Sequence, residues 1–141
     1  MNLKNTPDIF SAQVKYMLET YQSEKNITEE ISRGVEYYIL ISDGEDAGYL
    51  AFEKQYEGLY LSKLYVLKAL RSKGFGRFMA EFVEERAAQM GLKKIFLHVN
   101  KNNTGSIKAY EKMGYVKTIE RLKDIGGGFV MDDYVMEKDL G

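Results

Sequence analysis

The sequence predicts an α/β protein with a mixed, mostly antiparallel β-sheet and helices on both of its faces. Three observations support this fold class. Runs rich in β-branched and aromatic residues alternate with tight turns across residues 35–67. From Phe75 the apolar residues change to helical spacing. Another apolar run, residues 95–99, follows that helix, and a strand–helix–strand order is typical of two parallel strands.

Helices are predicted in the first quarter of the chain. Residues 7–22 carry apolar side chains at roughly helical spacing, and Pro7 with Asp8 suits the first turn of a helix. We expect a polar break at residues 23–26. A short helix then runs from residue 28 and ends at Gly34, which we interpret as a C-terminal cap.

An antiparallel meander follows these helices. Residues 35–41 are predicted as a strand, and Asp43-Gly44 is a frequent dipeptide of β-hairpin turns. Residues 47–54 are the returning strand, residues 55–58 a second turn, and residues 59–67 a third strand. The meander therefore leads the chain into the turn that precedes Phe75.

The second half of the chain alternates helices and strands. A helix begins at about Phe75 and ends at Gly91, because apolar residues recur there on one helical face. Beyond it the pattern predicts a strand at 95–99, a loop at 101–104, a helix at 106–113 closed by Gly114, a strand at 115–122, a glycine-rich loop at 124–128 and a last strand at 134–138. The sequence shows no internal repeat or linker, which indicates one domain over residues 1–141.

Composition excludes several classes of function. The chain has 20 Lys and Arg against 21 Asp and Glu, so no broad basic surface is expected and nucleic acid is not predicted as a partner. It has no cysteine, which rules out disulfides, thiolate metal ligands and a cysteine-acyl intermediate. His98 is the single histidine, so a multi-histidine site is excluded and we predict no metal.

The location of the protein is predicted from what its sequence lacks. The first residues show no signal-peptide pattern, and no apolar run approaches membrane-spanning length. We therefore expect a cytoplasmic protein without a membrane partner.

The turn after the third strand has the composition of a phosphate-binding site. It reads Arg71-Ser72-Lys73-Gly74-Phe75-Gly76-Arg77 and leads directly into a helix. The first turn of a helix has backbone N–H groups without internal acceptors, glycines admit a ligand to the backbone, and Arg and Lys add charge. The same residues also fit a solvated basic turn between a strand and a helix.

Two common nucleotide motifs do not fit this turn. A P-loop requires Gly-x-x-x-x-Gly-Lys-Ser/Thr, which the sequence does not contain. A dinucleotide fingerprint requires a third glycine where Met79 stands, and the preceding meander lacks the alternating strands and helices of a doubly wound domain.

A second string narrows the interpretation. Leu97-x-Val99, followed by Asn103-Thr104-Gly105-Ser106-Ile107-Lys108-Ala109-Tyr110-Glu111-Lys112-Met113-Gly114-Tyr115, resembles the second signature of the GCN5-related N-acetyltransferase (GNAT) superfamily. The string from Arg71 to Gly76 is similar to the acetyl-coenzyme A signature of the same family, Arg/Gln-x-x-Gly-x-Gly/Ala. Both strings occur in the family's order, and the resemblance covers about residues 35–138. Ser106 departs from the alanine that is commonest at its position.

The resemblance implies an acetyl-CoA-dependent N-acetyltransferase that acts by direct transfer, without a covalent enzyme intermediate. The acceptor would be a primary amine: a small amine or polyamine, or a protein amino group. The coenzyme A pyrophosphate would be held by Arg71, Ser72, Lys73, Gly74, Phe75, Gly76 and Arg77, and the pantetheine arm by the strand edge at Leu64, Tyr65 and Val66. Asn103 would contact the cofactor, serve as a helix N-cap, or do both.

Tyr110 and His98 are the predicted catalytic residues. Tyr110 stands where the family has its general acid, which protonates the leaving thiolate; the alternative is a tyrosine that only packs against its own helix. His98 stands where enzymes resembling the ribosomal-protein N-terminal acetyltransferases have a glutamate base, and a histidine can do this work near neutral pH. The alternatives are a partly buried histidine on the sheet, or a water chain to Glu36 or Glu53.

The chain departs from the family pattern at its start. The family usually begins with a strand and a helix, whereas residues 1–6 are too short and polar for that strand. The sequence leaves open whether the family's first strand and helix are lacking. If they are, the strand at residues 35–41 has an exposed edge, which we expect a second subunit to cover in a homodimer. The same loss fits a rival interpretation, a non-catalytic acetyl-CoA-binding sensor or assembly subunit.

Overall fold

The helices and strands follow the order that the sequence predicts, with one addition at the N-terminus. The computed structural model describes residues 2–4, 24–71, 73–126 and 129–141. In chain order the elements are β1 (Asn2–Lys4), α1 (Glu24–Ser32), β2 (Glu36–Ser42), β3 (Glu45–Gln55), β4 (Gly58–Val66), a 3-10 turn (Lys68–Leu70), α2 (Phe75–Gln89), β5 (Lys94–Asn100), α3 (Thr104–Lys112), β6 (Val116–Gly126) and β7 (Phe129–Asp139). They confirm the predicted α/β class with a mixed, mostly antiparallel sheet.

Two units divide these elements. The first comprises residues 1–54 and 61–83, and the second comprises residues 55–60 and 84–141. Each is described by itself below, and the single domain over residues 1–141 stays a prediction.

The first unit holds β1, β2, β3 and the end of β4, in that order across the sheet. β2 runs antiparallel to both β1 and β3. The predicted hairpin between β2 and β3 is confirmed, because Asp43 and Gly44 have φ angles of 53° and 77°. Two positive φ angles in succession are what a type I′ turn requires.

Helices cover both faces of the sheet in this unit. Tyr37 and Tyr38 are neighbours on β2, so their side chains leave opposite faces of the sheet. Tyr37 belongs to an apolar cluster with Ile27 of α1. The Tyr38 ring packs instead on Phe82 of α2, with 4.8 Å between ring centroids. α1 and α2 therefore cover opposite faces, as the fold class predicts.

The second unit holds the start of β4 followed by β5, β7 and β6. Leu59 and Tyr60 of β4 pair in parallel with Ile95 and Phe96 of β5, which confirms the parallel pair predicted around the helix. β7 runs antiparallel to β5 and to β6, so the last strand of the chain lies between them. Buried side chains of this unit include Leu59, Ala87, Ile95, Leu97, Val99, Ile107, Tyr115, Val135 and Met136.

Glycines end the described helices, as predicted. Gly34, Gly91 and Gly114 have φ angles of 101°, 74° and 98°, which a residue without a Cβ adopts freely. Each glycine N–H, and the N–H of the residue after it, donates back to a carbonyl in the last turn of its helix. This arrangement is the Schellman motif, which satisfies carbonyl groups that the helix itself leaves without donors.

The N-terminal prediction is wrong for the first strand. Residues 2–4 form β1, and Leu3 pairs with Leu40 of β2. Hydrogen bonding to a partner strand, rather than an apolar pattern of its own, holds this segment in the sheet. The β2 edge is therefore covered at residues 39–41, and the homodimer, which was predicted from an exposed edge, stays a prediction without that support. The helix predicted at residues 7–22 lies outside the described residues.

Two further boundaries differ from the prediction. α1 already begins at Glu24, inside the segment expected to be a polar break. β6 continues to Gly126 and β7 begins at Phe129, so the glycine-rich loop predicted at residues 124–128 is wrong at its start. Pairing with β7 keeps Asp124 and Gly126 extended. Among the helices that the structure describes, none has both the length and the apolar character needed to cross a bilayer.

Candidate active site

Arg71 fastens the basic turn to the strand that precedes it. β4 ends at Val66, the 3-10 turn follows, and Arg71 returns to extended geometry with φ −68° and ψ 156°. The Arg71 Nε–H donates to the Val66 carbonyl at 3.1 Å, and the guanidinium carbon lies 5.2 Å from the centroid of the Tyr65 ring. Since the residue is exposed, its guanidinium is held by the protein and still faces solvent.

The backbone at the start of α2 is open to a ligand. Gly74 has a φ angle of 84°, and its carbonyl accepts from the Phe78 N–H at 3.0 Å. The N–H groups of Phe75, Gly76 and Arg77 therefore precede the helical bonding pattern and have no acceptor within the helix. A Cβ added at Gly74 or Gly76 would meet no atom within 4 Å. The two glycines thus leave room beside these N–H groups, as an anion site at a helix N-terminus requires.

The side chains around this helix start are positively charged. Lys73 and Arg77 are exposed, and the first turn of α2 has no acidic residue. Arg77 Nε lies 3.9 Å from Glu81 Oε1, and both side chains are largely exposed. This ion pair therefore contributes little to stability. Ser72 lies outside the described residues. The charges and the macrodipole together favour a bound phosphate.

The strand end before this turn is braced from β3. Leu64, Tyr65 and Val66 are half-buried, and the Tyr65 ring stacks on Tyr49 with 5.6 Å between centroids. A Cβ at Gly48 would lie 2.2 Å from the Tyr65 carbonyl oxygen, so only glycine allows the two backbones to approach this closely. Sequence reasoning missed Gly48, although a glycine inside a strand is a known signal of close backbone approach.

Tyr110 lies on α3 with its ring against that of Tyr115. The ring centroids are 5.4 Å apart and the ring planes meet at 64°, which is an edge-to-face contact. Burial raises the pKa of the Tyr110 phenol to about 12. The phenol is therefore protonated throughout the neutral range and available as a proton donor.

His98 projects from the face of β5 opposite to its buried neighbours. Leu97 and Val99 are buried whereas His98 is exposed, which confirms the alternation predicted for this strand. The alternative of a partly buried histidine is wrong. The His98 ring centroid lies 5.2 Å from that of Tyr60 and 6.5 Å from that of Phe96. Sequence reasoning missed Tyr60 as the aromatic neighbour of His98, because the contact depends on the register between β4 and β5.

Asn103 is the N-cap of α3. Its side-chain oxygen accepts from the Ser106 N–H at 3.3 Å, which is the usual bond of an N-cap asparagine. The predicted capping role is confirmed, and the side-chain amide group keeps N–H bonds to donate elsewhere.

Asp132 and Asp133 are two neighbouring acidic residues near the end of the chain. Both lie within β7, and the Asp132 carboxylate pairs with Lys101 at 2.8 Å. The hydrogen bond to Asp132 raises the pKa of Lys101, as does that to Glu120. The carboxylate of Asp132 is therefore already neutralised by a lysine of its own chain.

The predicted site residues fall into both units. Those from Leu64 to Arg77 belong to the first unit, where contacts join Tyr65, Val66 and Arg71. His98, Asn103 and Tyr110 belong to the second unit. Within the described ranges, no group of three or more His, Cys, Asp or Glu side chains is arranged to hold a metal ion.

Known structures first define the class of fold. The chain is similar to a GNAT family acetyltransferase from Elizabethkingia anophelis, solved with acetyl-CoA bound, with a TM-score of 0.80 and 17% identity over 99% of this chain and 97% of the other. It is also similar to Arabidopsis thaliana Naa50 in complex with the bisubstrate analogue CoA-Ac-MVNAL, with a TM-score of 0.77 and 24% identity over 97% of each chain. At these identities the likeness shows the fold, which is that of the GNAT acetyltransferases.

The sequence then shows the family. The model of the Acetyltransferase (GNAT) family matches residues 6–115. An uncharacterized N-acetyltransferase in the pepI 3′ region of Lactobacillus delbrueckii subsp. lactis is 26% identical in an alignment of 134 positions that covers 89% of this chain and 77% of that protein. The chain belongs to the GNAT acetyltransferase family.

Proposed function

We propose that this protein transfers the acetyl group of acetyl-CoA to the nitrogen of a primary amine, directly and without a covalent enzyme intermediate. The start of α2 carries the proposal, because Gly74 and Gly76 leave backbone N–H groups accessible to a ligand there. Arg71, which precedes them in the same turn, is anchored to the Val66 carbonyl. Family membership and a relative of the same fold with acetyl-CoA bound support the choice of co-substrate. Acetyl-CoA would supply the acetyl group as a reactive thioester.

The residues at the start of α2 fit a pyrophosphate. The open space at the Cβ positions of Gly74 and Gly76 would let phosphate oxygens reach the main chain. Arg71, Lys73 and Arg77 would add charge, and Arg71 loses little conformational freedom on binding because Val66 and Tyr65 already hold it. Phe75 and Ser72 would take part through their main chain.

The end of β4 would hold the pantetheine arm through its main chain, along Leu64, Tyr65 and Val66. A backbone N–H in this stretch would polarise the thioester carbonyl as negative charge develops on its oxygen. Gly48 and Arg71 support this role, since Gly48 leaves room for the Tyr65 carbonyl and Arg71 donates a hydrogen bond to the Val66 carbonyl. A strand edge fixed in this way needs no rearrangement during the reaction.

Tyr110 would act as the general acid. The amine nitrogen attacks the thioester carbon, the C–N bond forms, the C–S bond breaks, and the thiolate leaves with the electron pair of that bond. The phenol would donate its proton to the thiolate sulfur, and it carries that proton throughout the neutral pH range. Asn103 would add a contact to the cofactor through its side-chain amide.

His98 is the proposed base, which takes the proton that the attacking amine loses. Its exposure leaves the imidazole accessible to solvent and to an incoming amine. Glu36 and Glu53 are the alternatives, through water. The Glu36 carboxylate already accepts a hydrogen bond from the Tyr38 hydroxyl at 2.7 Å.

The acceptor stays at the level of a primary amine. The Asp132 carboxylate, which could attract a cationic amine, is paired with Lys101. A relative of the same fold was solved with an analogue that joins CoA to a peptide, so peptide amino groups belong among the candidates together with small amines. We further propose a cytoplasmic protein that acts as a homodimer, with no nucleic-acid or membrane partner.

An amine panel tests the proposed function. Purified protein is incubated with acetyl-CoA and, separately, with spermidine, simple alkylamines and short peptides with free N-termini. Release of the free CoA thiol is followed by absorbance, and the product is identified by its mass. We expect acetylation of at least one amine, with release of one thiol for each acetyl group transferred. If acetyl-CoA binds tightly and no amine is acetylated, the protein is the non-catalytic sensor or assembly subunit instead.

A further inference from the structure

Tyr115 is a buried tyrosine directly after the helix that carries Tyr110. Its residue is only 1% exposed. Within the described part of the chain, its hydroxyl has no hydrogen-bond partner. Its contacts with Tyr110 come instead from its ring and its main chain.

The cap of α3 fixes where Tyr115 stands. The Gly114 N–H donates to Glu111 and the Tyr115 N–H donates to Tyr110, at 3.1 Å and 3.0 Å. This Schellman motif places the residue after the glycine against the side chain of the residue whose carbonyl it bonds. Tyr115 is therefore tied to Tyr110 twice, once through the main chain and once through the ring contact.

The ring contact limits a rotation that the helix leaves free. The χ1 angle of a helical tyrosine is restricted by the preceding turn, but its χ2 angle is broad and the ring plane is soft. The ring centroids of Tyr110 and Tyr115 are 5.4 Å apart and the ring planes meet at 64°, and such edge-to-face contacts are specific in geometry. The phenol oxygen lies on the χ2 axis and does not move with this rotation. The contact instead restricts the plane of the Tyr110 ring, and with it the O–H bond, which prefers to lie in that plane.

Charged side chains of the same unit lie near Tyr115. Its pKa is raised by burial, then by Tyr110 and Glu84. Glu84 of α2 forms an ion pair with Lys138 of β7, and the Lys138 side chain also lies against Gly114. An ion pair between α2 and β7 therefore lies beside the cap that precedes Tyr115.

We propose that Tyr115 is a positioning residue for Tyr110, which holds the phenol in the direction needed for proton transfer to the thiolate. This rests on the proposed function, in which Tyr110 is the general acid. Tyr115 touches no substrate in this role and acts only through the Tyr110 ring. Its contribution is accordingly to turnover, with no part in cofactor affinity.

A double-mutant cycle tests this role in the full chain, with an amine that the panel identifies. Tyr115→Leu removes the aromatic edge and is expected to lower kcat about tenfold, with KM for acetyl-CoA changed by less than about twofold. In a Tyr110→Phe background the same substitution is expected to lower kcat by less than about twofold, because the group it positions is absent. Tyr115→Phe keeps the ring and is expected to retain most of the wild-type kcat. The exposed Tyr56, changed to Leu, is the matched control.

Several results would overturn the proposal. Equal losses from Tyr115→Leu in both backgrounds would show that Tyr115 acts independently of Tyr110. If Tyr110→Phe lowers kcat and Tyr115→Leu does not, the positioning role alone is wrong; if Tyr110→Phe has no effect, the acid role proposed above is wrong as well. Should Tyr115→Leu not fold, the wild-type protein still decides: the Tyr110 ring is expected to be rigid by NMR relaxation, and large-amplitude motion of the ring on the picosecond-to-nanosecond timescale would contradict the proposal.

Discussion

The Arg71 guanidinium lies 5.2 Å from the centroid of the Tyr65 ring while its Nε–H donates to the neighbouring Val66 carbonyl. One side chain thus joins the end of β4 to the turn that leads into α2. In the proposed function these are the two segments that hold opposite parts of one molecule, the pantetheine arm and the pyrophosphate. Arg71 therefore does more than supply charge, since it also sets the geometry of the segment between them.

Replacing Arg71 separates its charge from its geometry. We expect Arg71→Ala to weaken CoA binding by about 10- to 100-fold, as for the loss of a hydrogen bond to a charged group. Arg71→Lys keeps the charge but lacks the Nε–H and the planar face, so its affinity is expected to fall between the two. Titration calorimetry measures both, with the exposed Arg33 changed to Ala as control. Equal affinity of Arg71→Lys and wild type would show that charge alone is used.

Gly76 allows a test in which folding and binding respond in opposite directions. A Cβ at this position meets no protein atom within 4 Å, and alanine favours a helix over glycine by roughly 0.8–1 kcal/mol. Gly76→Ala is therefore expected to raise the thermal midpoint slightly. If phosphate lies against this backbone, the same methyl group obstructs it, and CoA affinity falls by at least about tenfold. Unchanged affinity in the folded variant would exclude Gly76 from the phosphate site.

The elements that could be predicted from the sequence are those determined by the residue types of a short segment. Asp43-Gly44 specifies its hairpin because both residues tolerate positive φ. Gly34, Gly91 and Gly114 mark helix ends for the same reason. β1 carried no such signal, because three largely polar residues become a strand only through hydrogen bonds to β2. The order of β7 between β5 and β6 likewise depends on long-range pairing that no short string encodes.

The candidate site divides in the same way. The string from Arg71 to Arg77 is contiguous, so a phosphate site could be predicted there from residue types alone. The contact of Tyr60 with His98 is set by the β4–β5 register, and that of Gly48 with Tyr65 by the approach of two strands. The contact of Tyr115 with Tyr110 could have been predicted from sequence. A glycine cap at Gly114 already implies contact between the residue after the glycine and the last turn of the helix.

Substitution of Gly114 is expected to lower the stability of the protein through its backbone geometry as well as through packing. Its φ angle is 98°, and a Cβ there would lie 3.2 Å from Lys138 Cε. Gly114→Ala is expected to destabilise the protein by about 1–2 kcal/mol, the usual cost of left-handed geometry with a side chain. Denaturant unfolding measures it. Gly105, in the first turn of α3 with open space at its Cβ, is the control, and equal stability of the two alanine variants would contradict the expectation.

The raised pKa of Tyr110 predicts a loss of stability at alkaline pH. Its folded value of about 12 lies above the ordinary value of 10.0. The unfolded chain therefore releases this proton first as pH rises, and the stabilisation is complete below pH 10 and lost as pH approaches 12. As pH rises through that window, the free energy of unfolding is expected to fall more steeply in the wild type than in Tyr110→Phe. The difference between the two slopes is up to about 1.4 kcal/mol for each pH unit. Parallel curves for wild type, Tyr110→Phe and the exposed control Tyr56→Phe would count against it.

His98 makes the proposed base directly testable by pH. If the imidazole accepts the amine proton, turnover of the wild-type enzyme rises through the titration range of a histidine, since only the neutral ring is a base. His98→Gln keeps a polar side chain of similar size without that titration. We expect a loss of about 100-fold in kcat at neutral pH and the disappearance of the acidic limb. A limb that persists in His98→Gln would assign the base to a carboxylate through water, and Glu53→Gln, in the same assay, would then be the variant that removes it.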